Sequence, residues 1–344
     1  MSQIKLYFYL EGPTLKPKWT SKLSKVKHLN KLGLVTWKVN KHQKILASLR
    51  VDDYNMEQLF EGETFLQKHE EFKFKTIFDK RHLPILKSQL QKCARRQKAE
   101  LAVKTAVSMV LIEDNRENVK QFGLFELLRR LTIIMIEDTV LSESFSFLTW
   151  CMAVLSKGHY LNGYCLEKII ELVKGIASSG FRDPKAYHFD MFKADVYDLV
   201  KKSIMKPMVL STLFRSAYRG MKSDHKMLLS AAQTWMMRYF YNSPLLAWKE
   251  INTFLPIDTF EQLSKDEIQP ESLDHHCTNI VDRIQKYMNY PREEIEILIW
   301  DNSSCLNTRF DIENGKLDEH EGDVKWNRIK FIHKMETKNL AYEL

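Results

Sequence analysis

The stretch Leu124-Phe125-Glu126-Leu127-Leu128-Arg129-Arg130-Leu131-Thr132-Ile133-Ile134-Met135-Ile136-Glu137-Asp138 decides the fold. Leu124, Leu127, Leu128, Leu131, Ile134 and Met135 recur at the spacing that stacks side chains on one face of a helix, which predicts a helix from about 124 to 138. So broad an apolar face implies burial on most sides. Arg129, Arg130, Glu137 and Asp138 are embedded in it, and leaving such a charge buried and unpaired costs on the order of several kcal/mol. The four are therefore read as an internal salt-bridge network that holds helices in register, with a ligand groove as the competing reading.

Helical character extends outward in both directions. Upstream, Pro84 suits a first helical turn, and Leu86, Leu90, Ala94, Leu101, Val107 and Leu111 prolong one apolar face past Gln91, Lys92, Arg95 and Arg96. Downstream, helical spacing recurs over 147–156, 166–177, 193–202, 209–218, 227–241 and 280–287. Gly and Pro number only 11 and 9 in 344 residues, which disfavours folds built from many tight turns. The N-terminus differs: Ile4, Leu6, Phe8 and Leu10 alternate with Lys5, Tyr7 and Tyr9 as in a half-buried strand, which Gly12-Pro13 ends. Ser21 is positioned to cap a short helix carrying Leu23, Val26 and Leu29, with Gly33 as its stop, and 34–39 returns to strand character. The expected architecture is mainly α with a small α+β N-terminal module. It comprises a basic module over 1–80, a helical domain over 81–260, and an acidic, mostly helical part over 261–344 in which 311–323 reads as a loop.

Charge is polarised along the chain. Residues 1–50 hold eleven Lys/Arg and one acidic residue, a net of +10 against +8 for the whole chain, whereas 261–344 carries a net of −7. A concentrated positive segment releases counterions from a phosphate backbone and steers a polyanion toward itself without reading sequence. Lys16, Lys18, Lys22, Lys25, Lys27, Lys31, Lys38, Lys41 and Lys44 are thus the candidate contacts to nucleic acid, DNA or RNA. Trp19 and Trp37 flank the expected helix that carries Lys22, Lys25, Lys27 and Lys31, an arrangement that suits base stacking, although a tryptophan at an element boundary more often serves the core. The competing reading is a structural subunit of a viral or cellular assembly, whose positive end docks on the acidic end of a neighbour or of a second copy.

Gln91-Lys92-Cys93-Ala94-Arg95-Arg96, then Ala102 and Ala106, then Leu128-Arg129-Arg130-Leu131, then Glu137-Asp138 form an ordered series of polar clusters within apolar helices. This series resembles the C-terminal helical region of the replication-associated recombination ATPases, the MgsA and Werner-helicase-interacting group, over residues 91–138. The resemblance implies a helical region that bears on oligomerisation and works at stalled replication forks or with single-strand-binding protein. Residues 128–138 and the run Arg215-Ser216-Ala217-Tyr218-Arg219-Gly220-Met221 also resemble stand-alone proteins of large DNA viruses. The chain departs from the ATPases in having no GxxxxGK[ST]. Its one Gly-Lys dipeptide, Gly315-Lys316, precedes Leu317, so no nucleoside-triphosphate cradle is present. Thr139 and Val140 also follow the Glu-Asp where that group usually carries a small helix-breaking residue.

Other chemistry is sparse. No GxSxG, HExxH or dinucleotide-binding fingerprint occurs, and no catalytic residue, cofactor or metal is expected. Glu137 and Asp138 are consecutive, so on a helix they point about 100° apart and do not make a paired-carboxylate site. Cys93, Cys151, Cys165, Cys277 and Cys305 contain no CxxC, and His275, His276 and Cys277 are adjacent rather than convergent ligands. Asp224 and His225 beside Arg215, Tyr218 and Arg219, after the helix over 209–218, allow a polar pocket, but it has no nucleophile; the favoured reading is a loop exposing basic residues around Gly220, with Lys222 and Lys226 extending the phosphate-contacting surface. With no membrane span, the expectation is an intracellular protein, nuclear or cytoplasmic. Its expected role is that of a non-enzymatic nucleic-acid-binding or replication/repair-complex subunit.

Overall fold

The computed structural model describes residues 2–75, 77–113, 120–183, 195–218, 220, 222–246, 251–272, 280–312 and 324–343. The alternation at the N-terminus produces β1 (Ser2–Leu10), which pairs antiparallel with β2 (Lys18–Thr20). After β3 (Asn30–Lys38), the chain returns as β4 (Gln43–Val51) to lie parallel to β1, completing a four-stranded sheet in the order β2-β1-β4-β3. Leu6, Phe8, Trp19, Val35, Trp37, Ile45, Ala47 and Leu49 are buried on its inner face.

The helix expected over 21–33 does not form. Leu23–Lys25 make one 3₁₀ turn, and Gly33 lies inside β3 beside a register shift rather than at a helix end. The three-residue spacing has another cause: Val26 and Leu29 pack on Tyr9 on the sheet's outer face. Arg50 donates to the carbonyls of both, at 3.0 and 2.8 Å, and so fastens the turn to the sheet. Gly33 answers to a contact, since a Cβ there would lie 2.9 Å from Cγ of Lys157.

Helices follow: α1 (Asp53–Phe60), α2 (Phe65–Lys68), α3 (Leu83–Arg95), α4 (Ala99–Val110), α5 (Phe122–Glu137), α6 (Ser144–Leu155) and α7 (Gly163–Ser178). Asp52 caps α1 by accepting from the Asn55 amide, and Asn162 caps α7 by accepting from that of Cys165. The apolar run after Pro84 is two helices, not one. Gln97 takes φ 54°, and the Lys98 amide donates to the Cys93 carbonyl at 2.8 Å, which folds α4 back on α3 with no Gly or Pro to announce it. Then come β5 (Phe181–Arg182), α8 (Val196–Ser203), α9 (Pro207–Arg215), α10 (Lys222–Phe240), α11 (Ile280–Gln285), α12 (Arg292–Ile299), a π-helical turn (Trp300–Ser304), β6 (Phe310–Asp311) and α13 (Val324–Glu343). β5 and β6 join in a short parallel bridge. The described residues are thus mainly helical, with one small N-terminal sheet.

The sheet closes on the helical body through α9. Phe214 meets Phe8, Trp19 and Trp37 edge-on, Phe8 stacks on Trp19 at 4.0 Å, and the Trp19 indole N–H donates to Ser211 Oγ at 3.0 Å. Trp19 and Trp37 are therefore core residues and unavailable for base stacking. One hydrophobic cluster runs from Leu6 to Leu340. No helix among the described residues is long and apolar enough to cross a membrane.

Candidate nucleic-acid interface and the central charge cluster

Strand register sorts the basic residues into rows across the sheet's outer face. Lys38 lies opposite Lys44 in the first row, Lys5 and Thr36 flank Leu46 in the second, and Tyr7, Ser48 and Leu34 fill the third. In the fourth row Lys18, Tyr9, Arg50 and Lys31 are adjacent, and the 21–29 segment lies over it, carrying exposed Lys22, Lys25 and Lys27. Lys41 is exposed between β3 and β4, and Lys16 pairs with Glu143 of the helical body at 3.4 Å. Of the nine lysines singled out in the sequence, the fold brings Lys18, Lys31, Lys38 and Lys44 to one face and Lys22, Lys25 and Lys27 to the step beside it. Lys5 belongs to the same face. The β-alternation that turns Leu6 and Phe8 inward is the signal that could have found it.

Several lysines of the helical body have carboxylate partners, while others, Lys157, Lys202, Lys222, Lys226 and Lys334 among them, pair with none among the described residues. Lys68 pairs with Glu167, Lys104 with Glu261 and Glu267, Lys168 with Glu171, and Lys338 with Asp266, all within 2.9 Å. Among the described residues, Lys18, Lys22, Lys25, Lys27, Lys31, Lys38, Lys41 and Lys44 pair with no carboxylate. Lys38 and Lys44 face each other directly across two strands, an arrangement that costs a few tenths of a kcal/mol to about 1 kcal/mol.

The second cluster lies at the C-terminal ends of α3 and α5. Contrary to the expectation from the sequence, Arg129, Arg130, Glu137 and Asp138 do not pair with one another. A helix rises 1.5 Å per residue, so the arginines and carboxylates of α5 stand roughly 10–12 Å apart along its axis. Arg129 instead bonds Glu126 at 2.7 Å, one turn back, and Glu126 also receives Lys87. Arg130 donates to Gln91 Oε1 at 3.0 Å. The cation that serves the carboxylates is Arg95, whose Nε meets Asp138 at 2.6 Å and whose Nη2 meets Glu137 at 3.1 Å. Gln91 ties the group together, its Nε2 donating to Glu137 at 2.9 Å and to Asp138 at 3.0 Å while its Oε1 accepts from Arg130.

Electrostatics follow from this geometry. Burial pushes the Glu137 carboxyl up, the neighbouring Asp138 charge adds to that, and Arg95 only partly offsets them. Burial opposes the Arg95 charge, but Asp138 and Glu137 more than restore it and hold the guanidinium above its ordinary range. Arg95, Glu137 and Asp138 line a cavity of about 360 Å³ with Arg182, Asp224 and Trp300, and Arg95 and Arg96 also donate to carbonyls of the π-helical turn at its edge.

Arg215, expected on an exposed loop, is buried in the last turn of α9. It donates to Thr132 Oγ1 at 2.8 Å and to the Arg129 carbonyl at 3.2 Å, and burial followed by the charge of Arg129 pulls it down to about 10. Tyr218 bonds Ser156, Lys222 and Lys226 are exposed, and Arg219 lies outside the described residues. Arg309 is fully buried, with no carboxylate partner among the described residues. It donates to the carbonyls of Ala94, Ile176 and Ala177 at the ends of α3 and α7, where the helix dipoles favour a cation, and burial draws it down to about 10.

No disulfide joins Cys93, Cys151, Cys165 or Cys305, and no group of potential metal ligands converges among the described residues. His275, His276 and Cys277, like most of 311–323, lie outside the described residues. Compared with known proteins, the chain matches no family model, no curated protein and no solved structure.

Proposed function

We propose that the protein binds the phosphate backbone of nucleic acid through the outer face of its N-terminal sheet and the adjoining 21–29 step. In this reading it acts as a non-catalytic subunit of a replication or repair complex whose helical body carries the assembly contacts. The observation that supports it most is the gathering of eight lysines without carboxylate partners among the described residues on the sheet's outer face, the adjoining step and the β3–β4 connection. The Lys38–Lys44 opposition supports it further, because a polyanion laid across that pair relieves a repulsion the folded protein otherwise carries.

A salt-dependent binding titration tests the proposal. Replacing Lys22, Lys25, Lys27 and Lys31 together with glutamine should weaken binding to all sequences alike and flatten the log-affinity versus log-salt slope on duplex DNA by roughly three to four units. Absence of any salt-dependent binding to DNA or RNA at low ionic strength would refute the reading. Loss of self-association or subunit assembly in the same variant would then assign the basic face to a protein neighbour.

A further inference from the structure

We infer that the outer face of the sheet is built for a single strand rather than a duplex, with bases on its centre and phosphates at its margins. The inference rests on the proposed function and names the form of nucleic acid that the same face takes. Its argument comes from what lies between the cations. Lys38 and Lys44 bound one end of the open face, with Lys5 beside Leu46 in the next row, and the step bearing Lys22, Lys25 and Lys27 bounds the other. Between them the third and second rows present Tyr7, Leu34 and Leu46. Leu34 is 44% exposed, Tyr7 and Leu46 are half-buried, and Leu23 on the step is 48% exposed. The Arg50 guanidinium lies 5.6 Å from the Tyr7 ring centre, and its bonds to the Val26 and Leu29 carbonyls hold it there, so the ring is fixed in place.

Shape is the second part of the argument. Four strands span roughly 15 Å at the usual spacing of about 4.8 Å. Apart from the strands, the outer face carries the 21–29 step, whose single 3₁₀ turn is not the long helix or two-stranded ribbon that enters a duplex groove. A duplex resting on such a floor would offer phosphates to the lysines and leave Tyr7, Leu34 and Leu46 against water. A single strand turns its bases outward, and an apolar floor with a fixed ring receives them whatever their sequence. Both halves of the surface are then used: cations for the backbone, apolar side chains for the bases.

The experiment compares ~20-nucleotide single strands of mixed sequence, DNA and RNA, with their matching duplexes by fluorescence anisotropy at two salt concentrations. Single strands should bind at least about tenfold more tightly than duplexes at the same salt. Tyr7→Ser should lower single-strand affinity by on the order of tenfold while leaving the salt slope and duplex binding unchanged, because it removes a stacking contact and no charge. Leu34→Tyr replaces an already exposed side chain and should strengthen single-strand binding alone, which keeps the test sound if Tyr7→Ser folds poorly. Equal binding of single strands and duplexes, with Leu34→Tyr neutral, overturns the inference and leaves the phosphate-binding proposal standing. No salt-dependent binding to any of the four probes overturns the proposal itself.

Discussion

The outer face of the N-terminal sheet and the junction of α3, α5 and α7 are both rich in arginine or lysine, and they treat charge in opposite ways. At the junction, Arg95 lies between Glu137 and Asp138, and Arg309 faces three helix-terminal carbonyls. There a charge without a partner would be expensive, so the charges specify which chain segments meet. On the sheet, water solvates each ammonium, and an unpaired lysine costs little to hold. The difference teaches that the number of basic residues says nothing about role until burial is known. A buried cation is spoken for by the fold, whereas an exposed, unpaired one remains available to a ligand.

Replacing Arg95 with alanine tests the contrast most severely. It leaves Asp138 buried without its cation and should cost on the order of 3–5 kcal/mol, read as a fall in the urea midpoint at neutral pH. A midpoint within experimental error of the parent would mean that the junction is as tolerant as the sheet. Arg130→Ala should cost only about 1 kcal/mol, since it removes one hydrogen bond to Gln91 and leaves both carboxylates with Arg95. A larger loss for Arg130 than for Arg95 would reverse the assignment of partners.

Those two side chains also mark what could be read from the sequence. The broad apolar face of α5 and the alternation of β1 were legible because each is a local period that burial on one side enforces. That Arg129, Arg130, Glu137 and Asp138 needed partners was legible too. Which partners serve Arg130, Glu137 and Asp138 was not, because Gln91 and Arg95 lie 39 to 47 residues away and meet α5 only through helix packing. The 21–33 segment misled for the converse reason: a three-residue apolar spacing suits a turn laid on Tyr9 as well as it suits a helix.

A smaller effect separates two carboxylates of α5. Burial pushes Glu126 up, but Lys87 and Arg129 prevail and hold it below the ordinary carboxylate range. Its contribution to stability is therefore complete above the usual glutamate pKa and lost as pH falls through the lowered folded value. Glu137 is raised by burial and by Asp138, so its contribution is complete below the usual pKa and lost as pH rises through the raised value. Urea midpoints measured from about pH 6 down to about pH 3 should show Glu126→Gln with a shallower acid loss than the parent and Glu137→Gln with a steeper one. Identical slopes would place the two carboxyls in equivalent surroundings.

The smallest expected change belongs to the sheet. Lys38→Thr removes a like-charge opposition on an exposed strand and should raise stability by a few tenths of a kcal/mol while weakening nucleic-acid binding, measured by thermal denaturation and anisotropy on one preparation. Destabilisation by more than about 1 kcal/mol would show that Lys38 belongs with the buried charges after all.

Arg309 sets a timetable for the chain as it is made. The carbonyl of Ala94 that it meets is synthesised 215 residues earlier, and those of Ile176 and Ala177 more than 130 residues earlier. Until Arg309 leaves the ribosome, the ends of α3 and α7 lack their cation, and the β5–β6 bridge cannot close because its second strand follows immediately after. Contacts of such long range close late and slowly. The sheet, by contrast, has all four of its strands within the first 51 residues. On the growing chain the four strands are therefore made early, their inner face gains Phe214 when α9 emerges, and the junction closes last of the three.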